Sequence, residues 1–172
     1  MASSLDDVQA VILSAKARGD ESLVRFVQRR FPKAAEAEVR DATDLAVEII
    51  ETVPVFLARA AQEASERNLE AVVTPLLDYA VRYFLKPADL IPEMTQGLAG
   101  LLDDTYLVLR ILENLDRGPA PFLDWELSEP LMFLRWLVGE TVAVQLDSMS
   151  GNALAELSEQ LSVIWSRMAE RH

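Results

Sequence analysis

Residues 98–115 read LAGLLDDTYLVLRILENL, and apolar residues recur in this stretch at every third or fourth position. That spacing is typical of one face of an α-helix. The other long segments share it, glycine is scarce, and no segment alternates apolar and polar residues as a half-buried strand does. The sequence therefore predicts an all-α protein.

The chain is expected to fold as one unit, because its 172 residues fit a single domain. We predict a single-domain helical bundle of about seven helices over residues 1–172, with a central helix-turn-helix hairpin at 80–114. An N-terminal helical hairpin is expected at 1–32 and a C-terminal helix pair at 122–172. The predicted helical segments are 4–18, 20–31, 34–52, 55–67, 69–85, 98–115, 128–148 and 153–170.

Prolines and glycines decide where these segments are expected to end. Pro54 removes a backbone donor and disfavours helical geometry at the residue before it, so a break or sharp kink is expected there. Ser150, Gly151 and Asn152 predict a turn between the last two helices. Pro75 either kinks the helix at 69–85 or begins a new one.

The charge of the chain argues against nucleic acid as a partner. The formal net charge is −12 and the pI is about 4.5, so an acidic surface would repel a phosphate backbone. A small basic cluster is present, and we interpret it as the solvated face of a short helix. Its members are Arg25, Arg29, Arg30 and Lys33.

The sequence predicts neither export nor a membrane span. Asp6 and Asp7 lie where an export signal would carry positive charge. No apolar run approaches the roughly 18 residues that a transmembrane helix needs. The chain has no cysteine, which fits a reducing compartment. We therefore expect a cytoplasmic protein without a transmembrane segment.

The residue types that most catalytic sites need are missing. The chain lacks cysteine, and its one histidine is His172, the last residue, so Ser-His-Asp and Cys-His catalysis are excluded. We predict no catalytic residue and no cofactor. Carboxylate-only magnesium chemistry stays open, because helical acids three residues apart share one face. The candidate pairs with this spacing are Glu48/Glu51, Glu63/Glu66 and Glu113/Asp116.

Four carboxylates lie in the most hydrophobic third of the chain: Asp89, Glu93, Asp103 and Asp104. Successive helical residues point about 100° apart, so Asp103 and Asp104 cannot face the same way. Asp104 shares the core-facing stripe of its helix, whereas Asp103 and Glu93 are predicted to lie nearer to water. Asp89 is predicted to cap a short helical segment.

A buried ionised aspartate is costly unless it is paired or hydrogen-bonded, so Asp104 is predicted to have a partner. The candidates are Arg82, Lys86, Arg110 and the backbone N–H groups of the preceding turn. Three interpretations of the four carboxylates stay open: a structural tie, a site for a cation or polar ligand, and a protein-contact patch. No metal ligand is assigned from the sequence alone.

The same region carries a family resemblance. The run PADLIPE at 87–93, a later glycine, and the paired Asp103-Asp104 before an apolar helix resemble the YkvA family over about residues 80–114. Glu93 stands where that family usually has aspartate. In this motif the prolines suit turns and the glycines permit tight backbone, and the turn residues are Pro87, Pro92, Gly97 and Gly100. The family has no established activity, so the resemblance implies a helical fold and no reaction.

The leading functional prediction is a non-catalytic helical module that acts through contacts with a protein partner or a second copy of itself. Aromatic residues dominate contact energies, and the candidate contact residues are Phe122, Trp125, Phe133 and Trp136. One alternative is a divalent-metal or polar-ligand site at the four carboxylates, which could be hydrolytic. Another is peripheral membrane association, although the acidic charge opposes binding to anionic lipid.

Overall fold

The computed structural model describes residues 2–85, 97–115 and 126–170. Within these ranges the chain forms seven α-helices and no strand, which confirms the predicted all-α bundle. A short 3-10 helix, Leu98–Leu101, leads directly into the fifth α-helix. The α-helices are α1 (Ala2–Ala17), α2 (Glu21–Arg30), α3 (Glu36–Glu66), α4 (Glu70–Leu85), α5 (Leu102–Leu115), α6 (Ser128–Val138) and α7 (Glu140–Glu170).

The central element of the bundle is α5, which contacts α3, α4, α6 and α7. Every residue from 101 to 109 is buried, whichever way its side chain points. A helix that is covered on all sides has to be apolar nearly all round, which explains the density of leucine and valine in this stretch. The two arms of the predicted central hairpin, α4 and α5, contact each other.

Residues from all seven helices join one buried apolar cluster. Full burial of a large aliphatic side chain contributes about 1.5–3 kcal/mol. Leu57 of α3, Leu77 of α4 and Leu134 of α6 are among the residues with no solvent exposure. The shorter helices α2 and α6 also contribute buried side chains to the cluster, among them Leu23 and Leu131.

The expected break at Pro54 is wrong, because α3 runs without interruption from Glu36 to Glu66 and contains the proline. The buried stripe of α3 continues on both sides of the proline, from Ile50 and Val53 to Leu57 and Ala60. A proline removes one helical hydrogen bond, at a cost of about 3 kcal/mol. Burial of several large side chains in one continuous stripe outweighs that loss, and the helix continues through the proline. The α4 helix likewise begins before Pro75 and continues through it.

The boundary between the last two helices lies earlier than expected. The sequence predicts a helix at 128–148 and a turn at Ser150-Gly151-Asn152, but α6 ends at Val138 and α7 passes through Gly151. The interruption falls at Gly139, whose φ of 91° lies in the left-handed region that glycine adopts without steric cost. Its N–H still donates a hydrogen bond to the carbonyl of Arg135, at 3.0 Å, which closes α6.

Candidate functional site

The paired aspartates lie in the first turn of α5, and both are buried. Asp104 has no solvent exposure, as its position on the core-facing stripe predicts. Asp103 is only 4% exposed, so the prediction that it lies nearer to water is wrong. The reason is that α5 is enclosed on every side, so it has no solvent-facing stripe at this end. One Asp103 oxygen, Oδ1, accepts a hydrogen bond from the Asp104 N–H at 3.0 Å, and both residues take part in further polar interactions.

Arg82 and Arg110, two of the predicted cationic partners of Asp104, lie in different surroundings. Arg82 lies on the exposed side of α4. Arg110 is directed toward α7, where it donates a hydrogen bond from Nε to Asp147 Oδ1 at 3.0 Å. Lys86 lies outside the described residues, as do Asp89 and Glu93. The interpretation of the four carboxylates as a cation or ligand site therefore stays one of the three alternatives, and the part of the chain that is described holds no group of three or more possible metal ligands.

The glycines at the end of the motif approach the start of α2. Gly97 has a φ of 68°, and a Cβ added there would lie 2.9 Å from the hydroxyl oxygen of Ser22. The same hydroxyl accepts a hydrogen bond from the Ala99 N–H at 3.4 Å. A side chain at position 97 would disturb this contact. Glycine is therefore required here both because the φ angle is positive and because Ser22 lies close. Gly100 is half-buried in the 3-10 helix, and the prolines at 87 and 92 are outside the described ranges.

Four of the acids that carried the magnesium hypothesis, Glu51, Glu63, Glu66 and Glu113, contact basic or amide side chains, and Asp116 lies outside the described residues. Glu51 forms a salt bridge with Lys16 at 2.9 Å. Glu63 lies between Arg59 and Arg67, at 3.2 Å from each. Arg110 Nη1 is 2.6 Å from a Glu113 oxygen. The exposed ion pair of Glu51 and Lys16 contributes at most about 1 kcal/mol, because water screens it.

Sequence reasoning missed a polar network that joins α5, α6 and α7. Its centre is Asp147 of α7, whose Oδ1 accepts hydrogen bonds from the Tyr106 hydroxyl at 2.8 Å and from Arg110. The other oxygen accepts a hydrogen bond from Arg135 Nη1 at 2.7 Å. Arg135 also donates to the Tyr106 hydroxyl, at 3.1 Å, and forms a two-pronged ion pair with Glu140. Tyr106 and Arg110 are one helical turn apart, which is the one local signal of the network in the sequence.

The network perturbs the acidity of its members. Burial alone would raise the pKa of Asp147, but the hydrogen bonds from Arg135, Tyr106 and Arg110 together outweigh it and hold the pKa below its usual range. Burial, reinforced by the hydrogen bond to Asp147, raises the pKa of Tyr106 to about 12. The hydrogen bonds to Glu140 and Asp147 raise the pKa of Arg135 above its ordinary value. The network is therefore charged and fully formed at neutral pH.

A groove opens on the surface where α2 ends, α3 begins and α6 passes across them. Its volume is about 560 Å³. Val27, Val39 and Ala42 contribute apolar lining. The rings of Phe31 and Trp136 stack at the groove with their centroids 4.0 Å apart and their planes 20° from parallel. We call this feature, with its lining residues, the aromatic groove.

Trp136 is exposed although it is stacked. Its exposed fraction is 51%, and Met132, one turn earlier on α6, is 70% exposed. Phe133, the other predicted contact residue in the described part of α6, is half-buried and packs against the core, with its ring 5.9 Å from that of Trp136. The remaining two predicted contact residues, Phe122 and Trp125, lie outside the described residues. An exposed apolar strip therefore borders the aromatic groove.

Charged residues on the rim of the aromatic groove are mostly basic. Arg30 and Lys33 line it, with Glu38 of α3 as the acidic member. The Arg30 guanidinium lies 5.2 Å from the centroid of the Phe31 ring, and a Cβ added to Gly139 would be 3.6 Å from Arg30 Nη2. All four residues of the predicted basic cluster are exposed, with Lys33 lying after the end of α2, and only Arg30 and Lys33 border the groove.

The fold and the site together define an all-α bundle with an aromatic groove on its surface. No family model, curated protein or solved structure matches the chain. The resemblance to the YkvA family stays a prediction. Among the helices of the described ranges, none combines the length and the apolar character that crossing a membrane requires.

Proposed function

We propose that the protein is a non-catalytic helical module that holds a segment of a partner protein in its aromatic groove. The observation that carries the proposal is the exposure of Trp136 beside the groove, stacked on Phe31. Tryptophan, tyrosine and arginine are the residues on which contact energy concentrates in protein interfaces, in pockets near the centre of the contact. A bound side chain would cover the exposed half of Trp136 and remove its apolar surface from water.

The size of the aromatic groove supports the same proposal. Pockets that hold small ligands or anchoring groups have volumes of roughly 300–1,000 Å³, and this groove has about 560 Å³. Its lining is mainly apolar, and Met132 extends the apolar surface along α6 beyond the groove. A segment that places a large apolar side chain in the groove can therefore make further contacts along α6.

The polar network supports the proposal through rigidity. Arg135 immediately precedes Trp136 and is tied to Asp147, Tyr106 and Glu140. These contacts fix the position of α6 relative to α5 and α7, so Trp136 is held in place before a partner arrives. A binding surface that is already ordered loses less conformational entropy when its partner binds.

The test uses a displayed library of random peptides selected on the wild-type protein. We expect the selected peptides to share a large apolar residue and to lose about 30-fold or more in affinity for Trp136→Ala, because hot-spot truncations cost about 2 kcal/mol or more. The matched control is Leu13→Ala, which removes an equally exposed apolar side chain from α1. We expect no change in affinity for that variant.

Three results would contradict the proposal. One is a selection in which no peptide is enriched above background. Another is a set of peptides that bind the wild type and Trp136→Ala equally well, with both proteins folded by circular dichroism. Binding that falls equally in Leu13→Ala would place the contact elsewhere on the molecule and would also contradict the proposal.

A further inference from the structure

We infer that the segment held by the aromatic groove is acidic: a large apolar side chain flanked, on the side that meets Arg30 and Lys33, by carboxylates. This inference rests on the proposed function and adds the chemistry of the partner to it. It depends on three features of the groove, which are its aromatic wall, its two rim cations and the position of its one rim acid.

The two rim cations are available for a partner. Many basic side chains of the described residues form ion pairs with carboxylates, as Arg40 does with Asp20 and Asp44. Neither Arg30 nor Lys33 forms an ion pair with any carboxylate in those ranges. Arg30 is instead held by the Phe31 ring and the end of α6, which leaves its charge uncompensated at the rim of an apolar surface.

The net charge of the whole chain does not cancel this local preference. The chain carries −12 overall, so an acidic segment is repelled at long range. At physiological ionic strength, however, exposed charges farther apart than about 8 Å are largely screened. A segment in the groove therefore responds mainly to the charges on the rim. Two of the three rim charges are positive, so a carboxylate is favoured and a lysine or arginine is disfavoured.

The remaining rim charge gives the bound segment a direction. Glu38 lies in the first turn of α3, whereas Arg30 ends α2 and Lys33 lies between the two helices. The carboxylates of the segment are placed against Arg30 and Lys33, and the residue that meets Glu38 is neutral or basic. The specificity of the groove thus comes from Arg30 and Lys33, which attract carboxylates of the segment, and from Glu38, which repels them.

The experiment uses three synthetic peptides of equal length with the same aromatic and aliphatic anchor residues. They differ only in carrying Glu, Gln or Lys at the flanking positions, and their binding is measured by fluorescence anisotropy. We expect the Glu peptide to bind the wild type about 2- to 30-fold more tightly than the Gln peptide, which corresponds to two exposed ion pairs. The Lys peptide is expected to bind most weakly. The differences shrink when sodium chloride is raised, because salt screens exposed pairs.

Two double variants with the same change in net charge test the origin of this order. Replacement of Arg30 and Lys33 by Glu is expected to invert the order, so that the Lys peptide binds most tightly. Replacement of Arg25 and Arg29 by Glu changes the outer face of α2, away from the groove, and is expected to preserve the order. Replacement of Arg30 and Lys33 by Gln, which is expected to abolish the preference, serves as the test if the reversed variant does not fold.

The outcomes separate the inference from the proposed function. If all three peptides bind equally and lose affinity for Trp136→Ala, the groove is a docking site and the acidic preference is wrong. If the control variant at Arg25 and Arg29 also inverts the order, the preference comes from overall charge, and the inference is again wrong. If no peptide binds, or if Trp136→Ala changes nothing, the proposed function itself is contradicted.

Discussion

Asp104 is a fully buried carboxylate at the first turn of the most enclosed helix in the described part of the chain. An acid at this position is favoured by the positive end of the helix dipole. That contribution is modest compared with the loss of hydration that full burial imposes on a charge. A charge at this position is therefore expected to need a compensating interaction, and Asp104 takes part in at least one polar or electrostatic interaction.

Replacement of Asp104 by Asn tests whether the carboxylate ties the start of α5 in place. We expect the free energy of unfolding to fall by about 1–3 kcal/mol, because the interaction that compensates the carboxylate is weakened and the new buried amide group requires a partner of its own. The measurement is urea denaturation at neutral pH. Asp78→Asn is the matched control, since Asp78 lies on the exposed side of α4. An equal, small loss in both variants would show that Asp104 is not a tie.

Single residues also show where sequence reasoning reaches its limit. The burial of Asp104 follows from helical periodicity, because the residue lies on the same face as apolar neighbours. The burial of Asp103 does not follow from periodicity. Periodicity indicates which face of a helix is the most apolar, but it does not indicate how many neighbouring helices surround that helix. The covering of α5 on all sides is a property of the assembled bundle.

At the scale of helices, two glycines show why the boundary between α6 and α7 differs from the one that the sequence predicts. Gly139 and Gly151 both interrupt apolar periodicity, and the polar neighbours of Gly151 make it the stronger turn signal in the sequence. The structure places the interruption at Gly139 instead and keeps Gly151 inside α7. Burial of Ala143 and Leu146 before Gly151, and of Ala153 after it, favours one continuous helix over the local turn preference.

The two glycines are expected to respond oppositely to alanine. Gly151→Ala should raise the free energy of unfolding by about 0.5–1 kcal/mol, because alanine favours a helix and a Cβ there meets no atom within 4 Å. Gly139→Ala should lower it by about 1–2 kcal/mol, because its φ of 91° is strained for any residue with a Cβ. Thermal and urea unfolding measure both. Destabilisation by Gly151→Ala would mean that α7 is broken at this point.

At the scale of the whole molecule, Asp147 of α7 connects its helix to both α5 and α6. Its partners are Arg110 and Tyr106 on α5 and Arg135 on α6. The pKa of Asp147 lies below the value of about 3.9 for an unfolded chain. The network therefore adds stability that is fully present above about pH 4 and is lost as the pH falls through the lower folded-state value.

Asp147→Asn tests this contribution. We expect the free energy of unfolding at pH 7 to fall by about 1–3 kcal/mol, because two partly buried arginines lose their carboxylate. Below about pH 4 the difference from the wild type should narrow as the wild-type carboxyl becomes protonated. Urea denaturation at pH 7, 5 and 3 measures the change. Asp41→Asn, on the exposed side of α3, is the control, and a difference that stays constant with pH would contradict the assignment.

The sequence predicts the fold class well, because the apolar spacing within each helix repeats many times and errors at single residues do not change it. It does not predict the network or the aromatic groove. Arg110 and Asp147 are 37 positions apart, and Phe31 and Trp136 are much farther apart still. Such contacts depend on which faces of non-adjacent helices meet, and a single sequence contains no record of that pairing. Trp136 is named from the sequence as a candidate contact residue only because it is aromatic, and its stacking partner Phe31 is not named as one.

The stacking of Phe31 on Trp136 has a consequence for the order in which the site is made. One wall of the aromatic groove comes from residues 27–42, which leave the ribosome early, whereas the other wall comes from α6. Domains generally fold as units while synthesis proceeds from the amino end. The groove is therefore completed only after α6 has been synthesised and has packed. Nascent chains that end before α6 lack one wall of the groove.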